Sequence, residues 1–447
     1  MSGHRQPLGR PGPYPPVFAT PRCATARSTV RRVNLRASLS VLGNRPFRLL
    51  LLARLISVSG SAMAPVALAF AVLGFNARPE ALATVLAGNT LPQLVLLLVG
   101  GVVADRFSRR GLIVFGNLAA GLAQVGVALL IATGAANTTR VALLAAVTGG
   151  ANALMTPAMN SLLPQLVDAR QLQEANVLVR LPTNVVKIAA PALGGALVAL
   201  IGPQWVLSWD AASFALAALL CAFLTIAGTA KPGPGASVLH DFRTGWREFA
   251  QRSWLWPYTL SGTVVVALWL GSYQLLGPVV LDRTDLGAAA WGTVQGSFAV
   301  GLVLGGLIAL RWKPDRLMIA CVATGLPLAL PLVILATGPH LVALAASAAV
   351  AGIGLDLSIA YWNTALQQQL PTDVLGRVTS FSSIGELMAV PLGYVIVGLT
   401  ATSTGTAPVL LTSAVLIFLA SIVLFAVPSQ WTIRRLPTEA TAQPATA

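Results

Sequence analysis

Two apolar runs of membrane length, Ala81–Val99 and Leu112–Thr133, flank one short charged turn, Gly100-Gly101-Val102-Val103-Ala104-Asp105-Arg106-Phe107-Ser108-Arg109-Arg110. A helix crosses a bilayer with about 20 mostly apolar residues, so each run spans it. The short turn makes the two helices antiparallel neighbours. Gly100 and Gly101 let backbones approach closely, while Arg106, Arg109 and Arg110 hold the turn on the cytoplasmic side. Asp105, a lone acid among cations, suits the positive N-terminus of another helix.

The pattern recurs along the chain. Twelve candidate spans cover 47–74, 81–101, 111–133, 141–164, 181–201, 205–227, 257–280, 288–310, 316–336, 340–365, 379–400 and 407–427. Charged residues make up 10% of the chain and hydrophobic ones 55%, whereas an ordinary soluble domain is about 25% charged. Lipid is therefore the solvent along most of the length, and helices that satisfy their own backbone carry it. The net charge of +15 is not gathered into a basic domain with interleaved aromatics, which argues against nucleic acid as a partner. Cys23, Cys221 and Cys321 are far apart, and His4, His240 and His340 are the only histidines. They supply neither a disulfide framework nor a histidine-ligated metal centre. No phosphate-loop sequence occurs, so the chain is not itself an ATPase, and no histidine pair in the spans would build an intramembrane enzyme. No cofactor is expected.

Lys and Arg sort by side. With the N-terminus inside, 24 of the 29 fall in the N-terminal tail, the even-numbered connections and the C-terminus, counting Arg48 and Arg316 at the adjoining span edges. Arg78, Arg140 and Arg283 face the other side, and Arg54 and Lys187 lie within spans. This predicts a multi-pass cell-membrane protein with both termini cytoplasmic and its basic segments against anionic lipid. Residues 1–46 read as a disordered cytoplasmic tail, 47–227 as one six-helix bundle, 228–256 as a cytoplasmic linker, 257–427 as a second six-helix bundle and 428–447 as a cytoplasmic tail. In the linker, Phe242, Trp246 and Phe249 recur at helical spacing among arginines, as in an interfacial amphipathic helix.

The two halves echo one another. Gly100-Gly101 before Asp105-Arg106 matches Gly305-Gly306 before Asp315-Arg316; Leu163-Pro164 matches Leu370-Pro371; Pro191-Ala-Leu-Gly-Gly matches Pro391-Leu-Gly. All offsets are about 200 residues. The expected fold is thus an all-α membrane protein of twelve transmembrane helices in two pseudo-symmetric six-helix bundles, with a substrate site near the midplane between them.

The turn pattern G-x-x-x-D-R-x-x-R-R resembles the cytoplasmic-loop signature of the major facilitator superfamily, with Ser108 where that family usually has Gly. The resemblance covers nearly everything after residue 46 and looks closest to the bacterial efflux branch that includes enterobactin exporter-like and macrolide-efflux-like proteins. Ala64-Pro-Val-Ala-Leu-Ala-Phe, Asp210-Ala-Ala-Ser-Phe, Gly245-Trp-Arg-Glu-Phe and Trp362-Asn-Thr-Ala-Leu-Gln-Gln-Gln-Leu-Pro carry it further. It implies that Gly101, Asp105, Arg106, Arg109 and Arg110 form a conformational-switch loop. Ala190-Pro191-Ala192-Leu193-Gly194-Gly195 is similar to an antiporter signature, with Ala190 replacing its first Gly. Gly60-Ser61, Asn117 and Ala120 stand where relatives often carry charge, so an N-half ion pair is missing.

Arg54, Lys187, Asp356 and Glu386 fall inside spans, each costing at least ~2.5–3.5 kcal/mol near a helix centre. At 1.5 Å rise per residue all four sit roughly 10–14 Å in from the cytoplasmic side, bases in the first half and acids in the second. In the resembling fold the fourth, fifth, tenth and eleventh helices close the cytoplasmic gate. The four charges therefore suggest cross-half pairs that form on closure, with Asp356 or Glu386 coupling protons to opening. Asp210 reads as a structural acceptor. Polar and aromatic candidates for the substrate cavity are Asn89, Gln93, Gln124, Asn152, Asn160, Tyr273, Gln274, Gln295, Tyr361, Trp362 and Asn363. The expected function is export of small apolar or amphipathic molecules by a monomeric, proton-coupled transporter. An uncoupled facilitator or importer is the nearest alternative, and a receptor or scaffold the alternative outside transport.

Overall fold

The computed structural model describes residues 40–106, 108–168, 171–224, 246–247, 249–284 and 286–436. The long helices are α1 (Arg45–Phe75), α2 (Pro79–Arg106), α3 (Arg109–Ala132), α4 (Thr138–Leu166), α5 (Leu172–Ile201) and α6 (Pro203–Ala222). The second series is α7 (Leu255–Asp282), α8 (Gly287–Arg311), α9 (Leu317–Thr337), α10 (Leu341–Gln369), α11 (Thr372–Thr404) and α12 (Thr406–Ala426). Among the described residues, 11 helices are long and apolar enough to cross a membrane. The remaining one, α2, is a 28-residue helix where the second span was expected.

The apolar runs set where the helices lie but not where they start. α5 begins at Leu172 and α11 at Thr372, ahead of the expected 181 and 379. A helix outlasts the hydrocarbon when the flanking polar residues are good helix formers, and Glu174 in the first turn of α5 also complements the dipole. Asn44, Ser108 and Asn137 cap α1, α3 and α4 with their side chains. The duplication has a backbone signature as well. Gly202 (φ +88°) is the whole connection from α5 to α6, and Gly405 (φ +93°) is the whole connection from α11 to α12. Only a residue without Cβ takes that conformation freely.

Helices of each series pack mainly on their own series; the two largest contacts between the series are α5 on α8 and α2 on α11, with smaller ones from α7 to α1 and α2 and from α8 to α1. The buried apolar clusters show how. Around the Gly134 and Gly338 turns, one continuous core takes residues from both series, from Met63–Leu73 of α1 to Leu275–Leu281 of α7 and Val390–Ala401 of α11. Around the Ser108 turn the cores are separate. Phe47, Leu112, Leu162 and Cys221 belong to one, and Trp254, Met318, Tyr361 and Val378 to the other. Among the described residues the two series thus share one core at the Gly338 end and have separate cores at the Ser108 end.

Residues 428–436 are laced onto the second series at the Ser108 end. Gln430 Nε2 donates to Trp254 O (2.9 Å), Arg435 N to Asp315 O (2.7 Å) and Leu436 N to Gln368 Oε1 (3.0 Å). The start of this segment is therefore bound structure, while 437–447 lies outside the described residues. Of the expected linker helix, Phe242 also lies outside them; Trp246 stacks on Phe249 at 6.0 Å, and Phe249 is buried beside Trp254 and Leu317.

Candidate functional site

A cavity of about 370 Å³ opens within the second series, between α7, α9, α10, α11 and α12. Its α7 wall is Tyr258, Ser261, Gly262 and Val265, at i, i+3, i+4 and i+7, so one helical face builds it. Trp362 and Asn363 enter from α10, and Glu386 from α11. Tyr258 stacks on Trp362 (4.3 Å, 25°), and Trp254 meets Trp362 edge-on at 5.8 Å. Cys321 Sγ donates to Tyr258 Oη (2.9 Å), while Thr259 and Ser382 hydroxyls lie 3.4 Å apart. Glu386 Oε1 points toward Gly262, whose added Cβ would meet it at 3.5 Å. No Lys, Arg or His lines this cavity among the described residues. Sequence reasoning found Trp362, Asn363 and Glu386 but missed Tyr258, Ser261, Cys321 and Ser382; a polar stripe at helical spacing on α7 was the available signal.

The first series holds a buried polar knot instead. Asp210 of α6 accepts from Gln124 Nε2 of α3 (2.6 Å) and Ser61 Oγ of α1 (3.4 Å), and Ser213 Oγ donates back to Asp210 O (2.7 Å). Gln124 is therefore occupied in joining helices. Asn89 is too, donating to Ala145 O (3.0 Å) across α2 and α4. Gln93 and Asn152 are half-buried, and the side chain of Asn160 lies outside the described residues.

The four intramembrane charges divide between the series, Arg54 and Lys187 in the first and Asp356 and Glu386 in the second. Arg54 is half-buried on α1, with Arg180 of α5 as its charged neighbour, and Lys187 is exposed on α5. Asp356 lies against Gly305 and Gly306 of α8, its Oδ2 3.3 Å from where a Gly306 Cβ would stand. Among the described residues the one ion pair is Arg78–Glu80, so none of the four is paired with a described residue.

The remaining expected residues divide by location. Gly101, Asp105 and Arg106 lie on α2, with side chains outside the described residues. Arg109 Nη1 donates to Ser161 O (3.2 Å) and Arg110 Nη2 to Ala222 O, placing both cations at helix C-termini where the dipole favours them. Pro191, Gly194 and Gly195 stand at the closed-end crossing of α5 with α8 and α1. A Cβ on Gly195 would lie 2.5 Å from Ala288 O and 2.7 Å from Gly292 Cα, and one on Gly194 3.0 Å from Met63 Cβ. Tyr273 is buried in an aromatic cluster with Trp269 (4.3 Å) and Trp291 (5.0 Å), within a π-helical turn at Leu270–Gln274. Gln295 Nε2 donates to Gln274 Oε1 (3.2 Å). Tyr361 is buried, its hydroxyl donating to Trp312 O (3.1 Å). These residues seal or brace the molecule; Trp362 and Asn363 are the two that share a cavity with a charge.

The profile of the transmembrane secretion effector family, within the major facilitator superfamily, matches residues 36–443. The multidrug efflux pump Tap of Mycolicibacterium fortuitum is 26% identical over 401 residues, covering 84% of this chain and 95% of that one. The enterobactin exporter EntS of Escherichia coli O127:H6 is 25% identical over 373 residues, covering 81% and 86%. Among solved structures, the nucleoside transporter NupG (D323A mutant) superposes with a TM-score of 0.69 at 12% identity, over 86% of this chain and 99% of that one. An inward-facing bacterial homologue of the iron transporter ferroportin gives 0.68 at 19% identity, over 86% and 98%.

Proposed function

We propose, from the premise that this chain belongs to the transmembrane secretion effector family of major facilitator transporters, that it exports small apolar or amphipathic molecules by proton-coupled alternating access. That it is a multi-pass membrane transporter of small molecules, and not an enzyme, follows from family membership; direction and coupling are the reading offered here. Counting α2 as a crossing gives twelve spans in two six-helix bundles. The Lys/Arg asymmetry favours cytoplasmic termini, which makes the Ser108 end cytoplasmic and the structure an inward-open state. The efflux activity named for Tap and for EntS supports the outward direction.

One observation supports the coupling: the acids Asp356 and Glu386 lie in the second series and the bases Arg54 and Lys187 in the first, with no ion pair among them in the described residues. Closing that end brings opposite charges into a water-poor space where attraction is strong. Protonating an acid from the outer side after substrate release removes its half of the attraction and favours reopening, and the proton is then given up on the inner side, so one proton moves inward as one substrate moves outward. The Gly195–Gly292 crossing provides the close contact about which the halves rock. The protein acts as a monomer, since one chain supplies both walls.

Purified protein in liposomes with an imposed pH gradient tests this. Asp356→Asn and Glu386→Gln are expected to abolish uphill movement while downhill exchange survives. Full pH-driven accumulation by both single variants and the double variant would leave an uncoupled facilitator as the reading, which Ser61 and Asn117 at positions often charged in relatives would then favour.

A further inference from the structure

A second hollow lies on the outer surface of the same helix pair. Between α7 and α12 runs a groove of about 810 Å³, walled by Trp256, Leu260, Val264, Leu419, Ala420 and Val423. Most of these side chains are exposed, as lipid-facing residues are. The groove and the Glu386 cavity have a common partition: Ser261 and Leu424 line both. Ser261 Oγ donates to Ala420 O (2.8 Å), and this hydrogen bond and the Leu424 side chain are part of that partition.

The two hollows differ in chemistry. The inner one offers a carboxylate with no basic partner among the described residues and, in the same lining, the rings of Tyr258 and Trp362, groups that attract an organic cation by charge and by the ring quadrupole. The outer one is apolar and meets the bilayer. We infer that the Glu386 cavity and the α7–α12 groove form one binding site for a single-chain organic ammonium ion, its head at Glu386 and its tail passing Ser261 and Leu424 into the groove. This deepens the export reading by giving its substrate class and a lateral route from the bilayer. The occupant of the groove is fixed by continuity: a tail anchored there leads to the carboxylate in the cavity.

Equilibrium binding to the full chain in nanodiscs tests it, using hexyltrimethylammonium against hexanol and hexanesulfonate. Binding is read without transport, so failure of the exporter reading and failure of this site are separate results. Hexyltrimethylammonium is expected to bind more tightly than either control, and Glu386→Gln to weaken it at least tenfold, with Glu386→Asp retaining part of the affinity. Across butyl, hexyl and octyl members, affinity corrected for partition into empty nanodiscs should rise by up to about fourfold per methylene. Ala420→Trp, which fills the groove, should flatten that series. Equal binding of the cation and the sulfonate, or no effect of Glu386→Gln on folded protein, overturns the head assignment. A chain-length series unchanged in Ala420→Trp overturns the tail assignment.

Discussion

The α1–α6 contact and the α7–α12 contact occupy matching places in the two halves, yet one is solid and the other hollow. In the first, Gly60 lets α1 press on the backbone of Asp210, and Ser61, Gln124 and Asp210 knit three helices together. In the second, Gly262, about 200 residues later, faces the cavity, and α7 and α12 are tied by Ser272–Ser413 (2.7 Å) and Ser261–Ala420. A duplicated unit has therefore been used in two ways. A buried acid turned onto neutral donors makes a brace, and in the proposed reading an acid left without a basic partner beside aromatic rings makes a site.

The largest expected break in this contrast comes from the two glycines. A Cβ on Gly60 would stand 2.6 Å from Asp210 Oδ1 and 2.7 Å from Asp210 Cα, so Gly60→Ala must push α6 away. Overpacking of this kind costs about 1–3 kcal/mol, more than the ~1 kcal/mol that Ala gains over Gly as a helix former. Gly262→Ala meets only Glu386 Oε1 at 3.5 Å, an ordinary contact, and should be neutral or stabilising. Thermal unfolding in detergent distinguishes them, and equal melting temperatures would erase the contrast.

Next is the contact between the halves. Gly195→Ala puts a methyl within 2.5 Å of Ala288 O, so the Gly338 end must loosen. Transport is expected to fall sharply in protein that still folds, and spin labels at Leu200 and Ala289 should report a longer distance. An unchanged distance would show that the helices absorb the methyl without moving the halves.

Asp210 sharpens the meaning of the brace. Asp210→Asn keeps an acceptor for Gln124 and should cost under about 1 kcal/mol, whereas Asp210→Leu strands the buried Gln124 amide at about 1–3 kcal/mol. If Asp210→Asn instead removed pH-driven transport with stability intact, the first half would be a proton site and the division of labour would fail.

How much of this was legible in the sequence depends on the kind of contact. Membrane character, the helix positions and the repeat follow from apolar length and from the echoes at Pro191/Pro391. Gly202 and Gly405 were legible in principle as equivalent breakers, but a positive φ becomes visible only in the backbone. Side-chain direction was not legible. Gln124, Asn89 and Tyr361 are polar or aromatic in apolar runs, as a cavity residue would be, yet each spends its polar atom on a neighbouring helix or turn. The same composition serves bracing and binding, and only the partner decides which.

The smallest expected effects concern how each half is fastened at the Ser108 end. The first half uses cations on helix C-termini: Arg109 on Ser161 O of α4 and Arg110 on Ala222 O of α6. The second half uses the laced segment, where buried Gln430 donates to Trp254 O and Arg316 lies over the Trp431 ring at 5.0 Å. Removing a cation from a surface helix terminus costs about 0.3–1 kcal/mol at low ionic strength, and salt screens that interaction. Gln430→Ala removes a neutral hydrogen bond at a site shielded from solvent, worth about 0.5–1.5 kcal/mol and independent of screening. Arg109→Ala should therefore lower the melting temperature slightly in dilute buffer and negligibly at 1 M salt, where the Debye length is about 3 Å. Gln430→Ala should lower it by the same amount in both. Identical salt responses would mean that the two ends are fastened by the same kind of force, and that the difference between the halves stops at their interiors.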